Sequence, residues 1–210
     1  MRKTLLAAVI LALTGCGLEN FPYLVPPGCP DPADTGTPIF QLQNQRTTVL
    51  EFNGFELYYR FFNTELEIQT GYSTLNQLTA NGYSRMCSEG TLSSQIRPLI
   101  TVDPLDQDTV FLIILDFSNV ENAAPVADYQ GANPPAVNPI PIRRSAVDID
   151  QTKTFRQDDL DEGDSDLSTV TYPGGGDSLY LVVYALSYGL YEYTPIYSDA
   201  VYLGYMDYNF

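Results

Sequence analysis

The chain has 210 residues, and 26 acidic against 10 basic side chains give it a net charge of −16. Such a surface is repelled by nucleic acid and by anionic headgroups, which excludes nucleic acid as a partner. A hydrophobic content of 44% excludes wholesale disorder, and the absence of histidine removes His-based triads and His-ligated metal sites.

At the N-terminus Arg2 and Lys3 precede an apolar run from Leu5 to Leu13. The run is too short to span a bilayer and has the layout of a secretory signal. Leu13-Thr14-Gly15-Cys16 resembles the lipobox of bacterial lipoproteins. The resemblance implies that residues 1–15 are a signal peptide, cleaved before Cys16 once its thiol carries lipid, with palmitate among its acyl chains. The product would be held at the cell envelope by lipid alone, through more than one acyl chain. Gly17 stands where Asp commonly retains lipoproteins in the inner membrane, so the resemblance implies the outer membrane. Cleavage removes two basic residues and no acid, which takes the net charge to −18.

Residues 16–38 read as the lipidated cysteine and a proline-rich tether, with Pro22, Pro26, Pro27, Pro30, Pro32 and Pro38. Proline fixes φ and removes donors, so this stretch is expected to be extended, a spacer reaching at most roughly 70 Å. Cys29 and Cys87 remain as an even pair in an oxidising compartment. They are expected either to form a disulfide or to stay as two free thiols.

From residue 39 to 210 the pattern is that of one mainly β domain. Phe55, Leu57, Tyr59 and Phe61 fall on one face at period 2. A short helix is expected after Ser73 as N-cap, with Leu75 and Leu78 three apart and Asn81-Gly82 as the stop. Thr109 to Phe117 is a continuous apolar run, expected as a strand buried on both faces. Residues 118–139 read as a loop, and Ile140 to Ile149 as a strand whose prolines confine it to a sheet edge. An acidic loop and Gly174-Gly175-Gly176 follow. The pattern closes on two strands, Leu179–Ser187 and Ser198–Met206.

The closing segments LYLVVYALSYG and YSDAVYLG resemble the last two strands of a fibronectin type III domain. In that resemblance Leu179, Leu181, Val183 and Ala185 point inward, Gly189 makes the turn and Ser198 opens the final strand. GFELYYRFF (Gly54–Phe62) is similar to the third strand of that family. The resemblance implies an immunoglobulin/fibronectin-III-like antiparallel sandwich with one short helix and long insertions near 64–99 and 118–178.

For chemistry, the candidates are few. Lys153 sits among acids, where a depressed pKa suited to a Ser-Lys pair is not expected. Six carboxylates between Asp158 and Asp166 could offer oxygen ligands to calcium, with Asp159, Asp161, Asp164 and Asp166 as candidates. An EF-hand register puts Leu160 at its third position and Thr169 at the place of the bidentate Glu, which favours a solvated loop and no metal. Nine of sixteen tyrosines follow residue 179. Tyr180, Tyr184 and Tyr188 form either an exposed stripe for a protein or glycan ligand, or core under an insertion. No cofactor is implied. The reading is a lipid-anchored, non-catalytic binding or structural protein. Its rivals are a glycan-acting envelope enzyme with paired carboxylates and, from the alternation Met206, Tyr208, Phe210, a small outer-membrane barrel.

Overall fold

A computed structural model describes residues 22–88, 98–131, 133, 139–143, 153–173 and 177–210. Residues 1–15 with the lipobox, Cys16, residues 89–97, 144–149 and Gly174–Gly176 lie outside the described residues. The described strands pair antiparallel in three open sheets. One sheet has the order β1 (Ile39–Gln43), β6 (Leu112–Asp116), β7 (Ala127–Gln130). A small sheet has the order β4 (Cys87–Ser88), β8 (Pro141–Arg143), β9 (Lys153–Thr154). The largest joins β2 (Phe52–Phe62), β3 (Ser84–Arg85), β5 (Ile100–Thr101), β10 (Ser178–Tyr191), β11 (Thr194–Tyr197) and β12 (Val201–Asn209). None of these sheets closes on itself, so the barrel reading is not the architecture of the described residues.

β10 is the spine. It pairs with β2 from Tyr180↔Phe62 to Gly189↔Phe52, and with β12 and then β11 along its other edge. Leu179, Leu181, Val183 and Ala185 project to one side and are fully buried, as the alternation predicts. With Phe55, Leu57, Tyr59 and Phe61 of β2 they face Phe40 and Leu42 of β1 and Ile113 and Leu115 of β6 in one core. The opposite face is buried too. Val182, Tyr184 and Leu186 pack with Tyr58 and Phe62 of β2, with Leu78 of the single helix α1 (Leu75–Ala80) and with Tyr83. The central sheet is therefore covered on both sides, in a sandwich-like arrangement with the segment 65–83 as the second cover.

Several expectations are corrected. The helix is capped by Thr74, not Ser73, because Gln77 lies at its third position and completes the capping box. β6 alternates buried and half-buried residues, since its second face has no covering layer. The loop 118–139 contains β7, whose Ala127 and Tyr129 point inward. β8 lies between β4 and β9 with Ile142 paired on both sides, while Pro141 at its start pairs on one side only, with Ser88. The chain does not turn at Gly189. β10 runs on to Tyr191, the two-residue turn is Glu192-Tyr193, and the last strand opens at Val201 after Ser198 binds back to Ser187.

The tether is shorter than its composition suggests. Leu24 and Ala33 are buried, Gly28 bridges Gln43, and Ala33 bridges Gly204 at the outer edge of β12. Ala33 N–H donates to the Leu203 carbonyl at 2.9 Å and Tyr205 N–H to the Ala33 carbonyl at 3.0 Å. Gly204 permits this approach. Its φ is +114°, and a Cβ there would lie 2.3 Å from Ala33 backbone atoms. Residues 22–38 belong to the domain.

A buried cation ties the far side together. The Arg143 side chain, at 0% exposure, donates to Asp164 Oδ2 at 2.8 Å, to Asp166 Oδ1 at 3.2 Å and to the Thr154 carbonyl at 2.9 Å. It also donates to the Asp159 carbonyl, and the Tyr59 hydroxyl donates to Asp166 Oδ2 at 2.7 Å. Burial opposes ionisation of Asp164, yet Arg143 and Lys153 hold its carboxyl below the ordinary range. Burial lifts Asp166 above that range against the pull of Arg143. Arg143→Met would leave two buried carboxylates without their cation and is expected to cost about 3–5 kcal/mol. The stability carried by Asp164 is present above its unfolded pKa and fades as pH falls through its lower native value. In the variant, burial alone raises both native carboxyls, so the variant gains relative stability on acidification. Urea unfolding should show the gap between the two chains narrowing below about pH 4. A gap that widens there would contradict the account.

Candidate docking surface

The acidic loop is solvated in part: Asp158, Asp161 and Glu162 are exposed, whereas the remaining carboxylates are drawn onto the chain's own donors. Asp164 and Asp166 are turned inward onto Arg143, Lys153 Nζ lies 3.2 Å from Asp164 and also pairs with Asp161, and Asp159 accepts from Thr154. The cations that these carboxylates surround are side chains of the chain itself. Among the described residues no cluster of three or more ligating side chains is arranged to hold a metal ion.

Cys29 and Cys87 are both free. Cys29 follows the Gly28–Gln43 bridge at the edge of the main core, and burial pushes its thiol pKa up. Cys87 sits in β4, paired with Ile142, and its thiol is directed at the Arg85 carbonyl. The two segments dock on different sheets, and of the two expectations the structure holds the free thiols.

Of the two arrangements open to the tyrosines, the structure takes the buried one for Tyr184 and Tyr188. Tyr184 and Tyr188 are buried and Tyr180 is half-buried. The Tyr184 hydroxyl donates to the Gln69 carbonyl at 2.9 Å, and its ring meets Tyr83 edge-on with centroids 5.3 Å apart. Burial pushes the Tyr184 hydroxyl up to about 12. The insertion after β2 covers this face, so these tyrosines are core.

The other buried acids are engaged in the same way. Glu56 accepts from the Tyr58 hydroxyl at 2.8 Å and from Arg85 at 3.2 Å. Asp106 accepts from the Tyr129 hydroxyl at 2.7 Å and from Asn133 through its backbone and side chain. A hollow lined by Ile100, Ile113, Ala127 and Tyr129 has no carboxylate in its lining. Each of these buried acids accepts hydrogen bonds from the chain's own donors.

What the sequence reading missed lies at one end of the central sheet, where β2 begins and β10 ends. Four segments meet there. Leu190 N–H donates to the Glu51 carbonyl at 3.0 Å, joining the β10–β11 turn to the loop before β2. A Cβ on Gly189 would lie 2.4 Å from the Glu51 carbonyl oxygen and 3.2 Å from Leu24, and Ser187 Oγ donates to the Val25 carbonyl at 2.6 Å. The N-terminal segment is thereby laid against the same strand end. Residues 105–110 are clamped on by two buried amides. Asn44 Nδ2 donates to the Thr109 carbonyl at 2.8 Å and Gln107 Nε2 to the Phe52 carbonyl at 2.8 Å.

These segments carry exposed apolar side chains. Tyr193 is 99% exposed, Leu50 86% and Leu105 76%, and Tyr23, Val110 and Leu190 are exposed beside them. Among the described residues only Leu66 and Val126 are comparable, and both follow or precede strand ends at the opposite side of the fold. Scattered apolar side chains are ordinary, whereas a gathering on converging loops marks a contact surface. Backbone strain gathers at the same place. Among the described residues, Arg46 (φ +25°), Glu192 (φ +46°) and Tyr193 (φ +67°) are the non-glycine residues at positive φ. A two-residue hairpin turn with both central φ positive favours Asn-Gly, and each other residue there costs roughly 1–2 kcal/mol.

No family model, curated protein or solved structure matches the chain.

Tyr184→Ala should lower stability by about 3–5 kcal/mol, because it empties a filled aromatic site. Tyr193→Ser should leave the unfolding curve of the protein unchanged. Paired urea titrations check this, and a neutral Tyr184→Ala would return Tyr184 to the list of ligand contacts.

Proposed function

We propose that the chain is a lipid-anchored cell-envelope protein with a non-catalytic binding or structural role, and that the loop end is its docking surface. Export through residues 1–15, acylation at Cys16 and outer-membrane residence follow from the lipobox resemblance and from Gly17. The observation that carries the docking role is the convergence of Tyr23, Leu50, Leu105, Leu190 and Tyr193 on strained loops at one end. A strained turn that spends free energy to hold a fully exposed tyrosine favours a role for that side chain in contact. Tyrosine and leucine without a reactive group suit a macromolecular surface, protein or glycan, rather than a reaction. The engagement of Glu56, Asp106, Asp164 and Asp166 with donors supports the non-catalytic part.

The finer fold reading is an immunoglobulin/fibronectin-III-like sandwich. Its support is the order β2-β10-β12, which corresponds to the third strand and the last two strands lying side by side in that family.

The anchor is tested by Cys16→Ser. The substituted chain is expected to lose metabolic palmitate labelling and to leave the membrane fraction, or to persist uncleaved. Labelling equal to that of the parent chain would overturn the anchor.

A further inference from the structure

We infer that the loop end docks on the surface of the bilayer to which the chain is anchored, with Tyr193 and Leu50 seated at the headgroup boundary. The inference goes beyond the docking reading above by giving the surface a lipid occupant in place of a protein or glycan, and it rests on acylation of Cys16.

The argument is one of reach. The chain joins the fold at the loop end itself, since Leu24 lies against Gly189 and the Val25 carbonyl accepts from Ser187. With residues 22–38 packed into the domain, the span from Cys16 to Pro22 is all that separates lipid from fold. A chain of that length reaches no more than about 22 Å at full extension. The proline-rich spacer that would have lifted the domain clear of the membrane is absent. β2 runs away from this end for eleven residues, so Leu66 beyond its far end is roughly 30 Å more distant. The short leash therefore turns the loop end, and not the Leu66 end, toward the bilayer.

The chemistry fits a lipid surface. Tyrosine is favoured at the headgroup level, where its ring is shielded and its hydroxyl stays wet, and leucine beside it can enter the acyl boundary by about 5–10 Å. The acyl chains hold the protein at the bilayer, and each apolar side chain that enters the boundary fixes its orientation there. Glu51, Asp103, Asp108 and Glu192 lie on the same segments beside the single cation Arg46, so the surface is acidic and its apolar side chains suit zwitterionic rather than anionic headgroups.

The chain has no tryptophan, which makes a single reporter straightforward. Tyr193→Trp and Leu66→Trp, each at an exposed position, would be purified as the lipidated full chain and reconstituted on phosphatidylcholine vesicles. Lipid brominated near the carbonyl end of its acyl chains should cut emission of the Tyr193→Trp chain roughly twofold, with a shift to shorter wavelength. The Leu66→Trp chain should show neither change. A vesicle-bound chain whose reporter at 193 stays unquenched overturns the inference and leaves the loop end free for a protein or glycan. Equal quenching at both positions also overturns it, as does a lipid-independent, concentration-dependent shift at 193, which would assign the surface to a second copy. A chain that fails to float with vesicles at all removes the anchor reading and this inference together.

Discussion

The structure depends on a strand that is apolar on both faces. Along β10 Leu179, Leu181, Val183 and Ala185 alternate with Val182, Tyr184 and Leu186, and each larger aliphatic side chain among them gains about 1.5–3 kcal/mol by burial. A sheet built on such a strand needs a cover on each side. β1 and β6 supply one, and the segment from residue 65 to Tyr83 supplies the other. The insertion after β2 is thus a working layer of the fold.

The second constraint is electrostatic. An acidic chain has collected several of its carboxylates around Arg143, which is fully buried and meets acceptors from β9 and from both turns of the acidic loop. The same guanidinium lies 6.0 Å from the Phe61 ring centre, so the cluster is attached to the main core. A buried pair of this kind is costly to desolvate and still more costly to break. It fixes where the acidic loop sits and gives those carboxylates donors from the chain itself.

With both faces of the central sheet covered, the exposed apolar side chains of the described residues gather mostly at the end where β2 starts. Asn44 and Gln107 hold its loops by their backbones, which leaves Leu50, Leu105 and Tyr193 free of structural duty. The same end receives the N-terminal segment, through Leu24 against Gly189 and the Val25 carbonyl on Ser187.

The sequence by itself determined the strands of strong alternation. Phe55 to Phe61 and Leu179 to Ala185 are legible because a period of 2 and β-branched or aromatic residues leave no competing local structure. The resemblance of Leu13-Thr14-Gly15-Cys16 to a lipobox is equally local. Tertiary structure decided what lies against those strands, because a covering layer comes from residues far away in sequence. Tyr184 reads the same way whether its face meets water or Tyr83. The acidic run from Asp158 to Asp166 reads the same way whether its counterion is calcium or Arg143. Prolines between residues 22 and 38 suggest a spacer, yet Leu24 and Ala33 find partners on β10 and β12 that only the folded sheet brings within reach. The docking end was the least legible part, because Tyr23, Leu50, Leu105 and Tyr193 lie on four separate segments and become neighbours only when β2 and β10 pair.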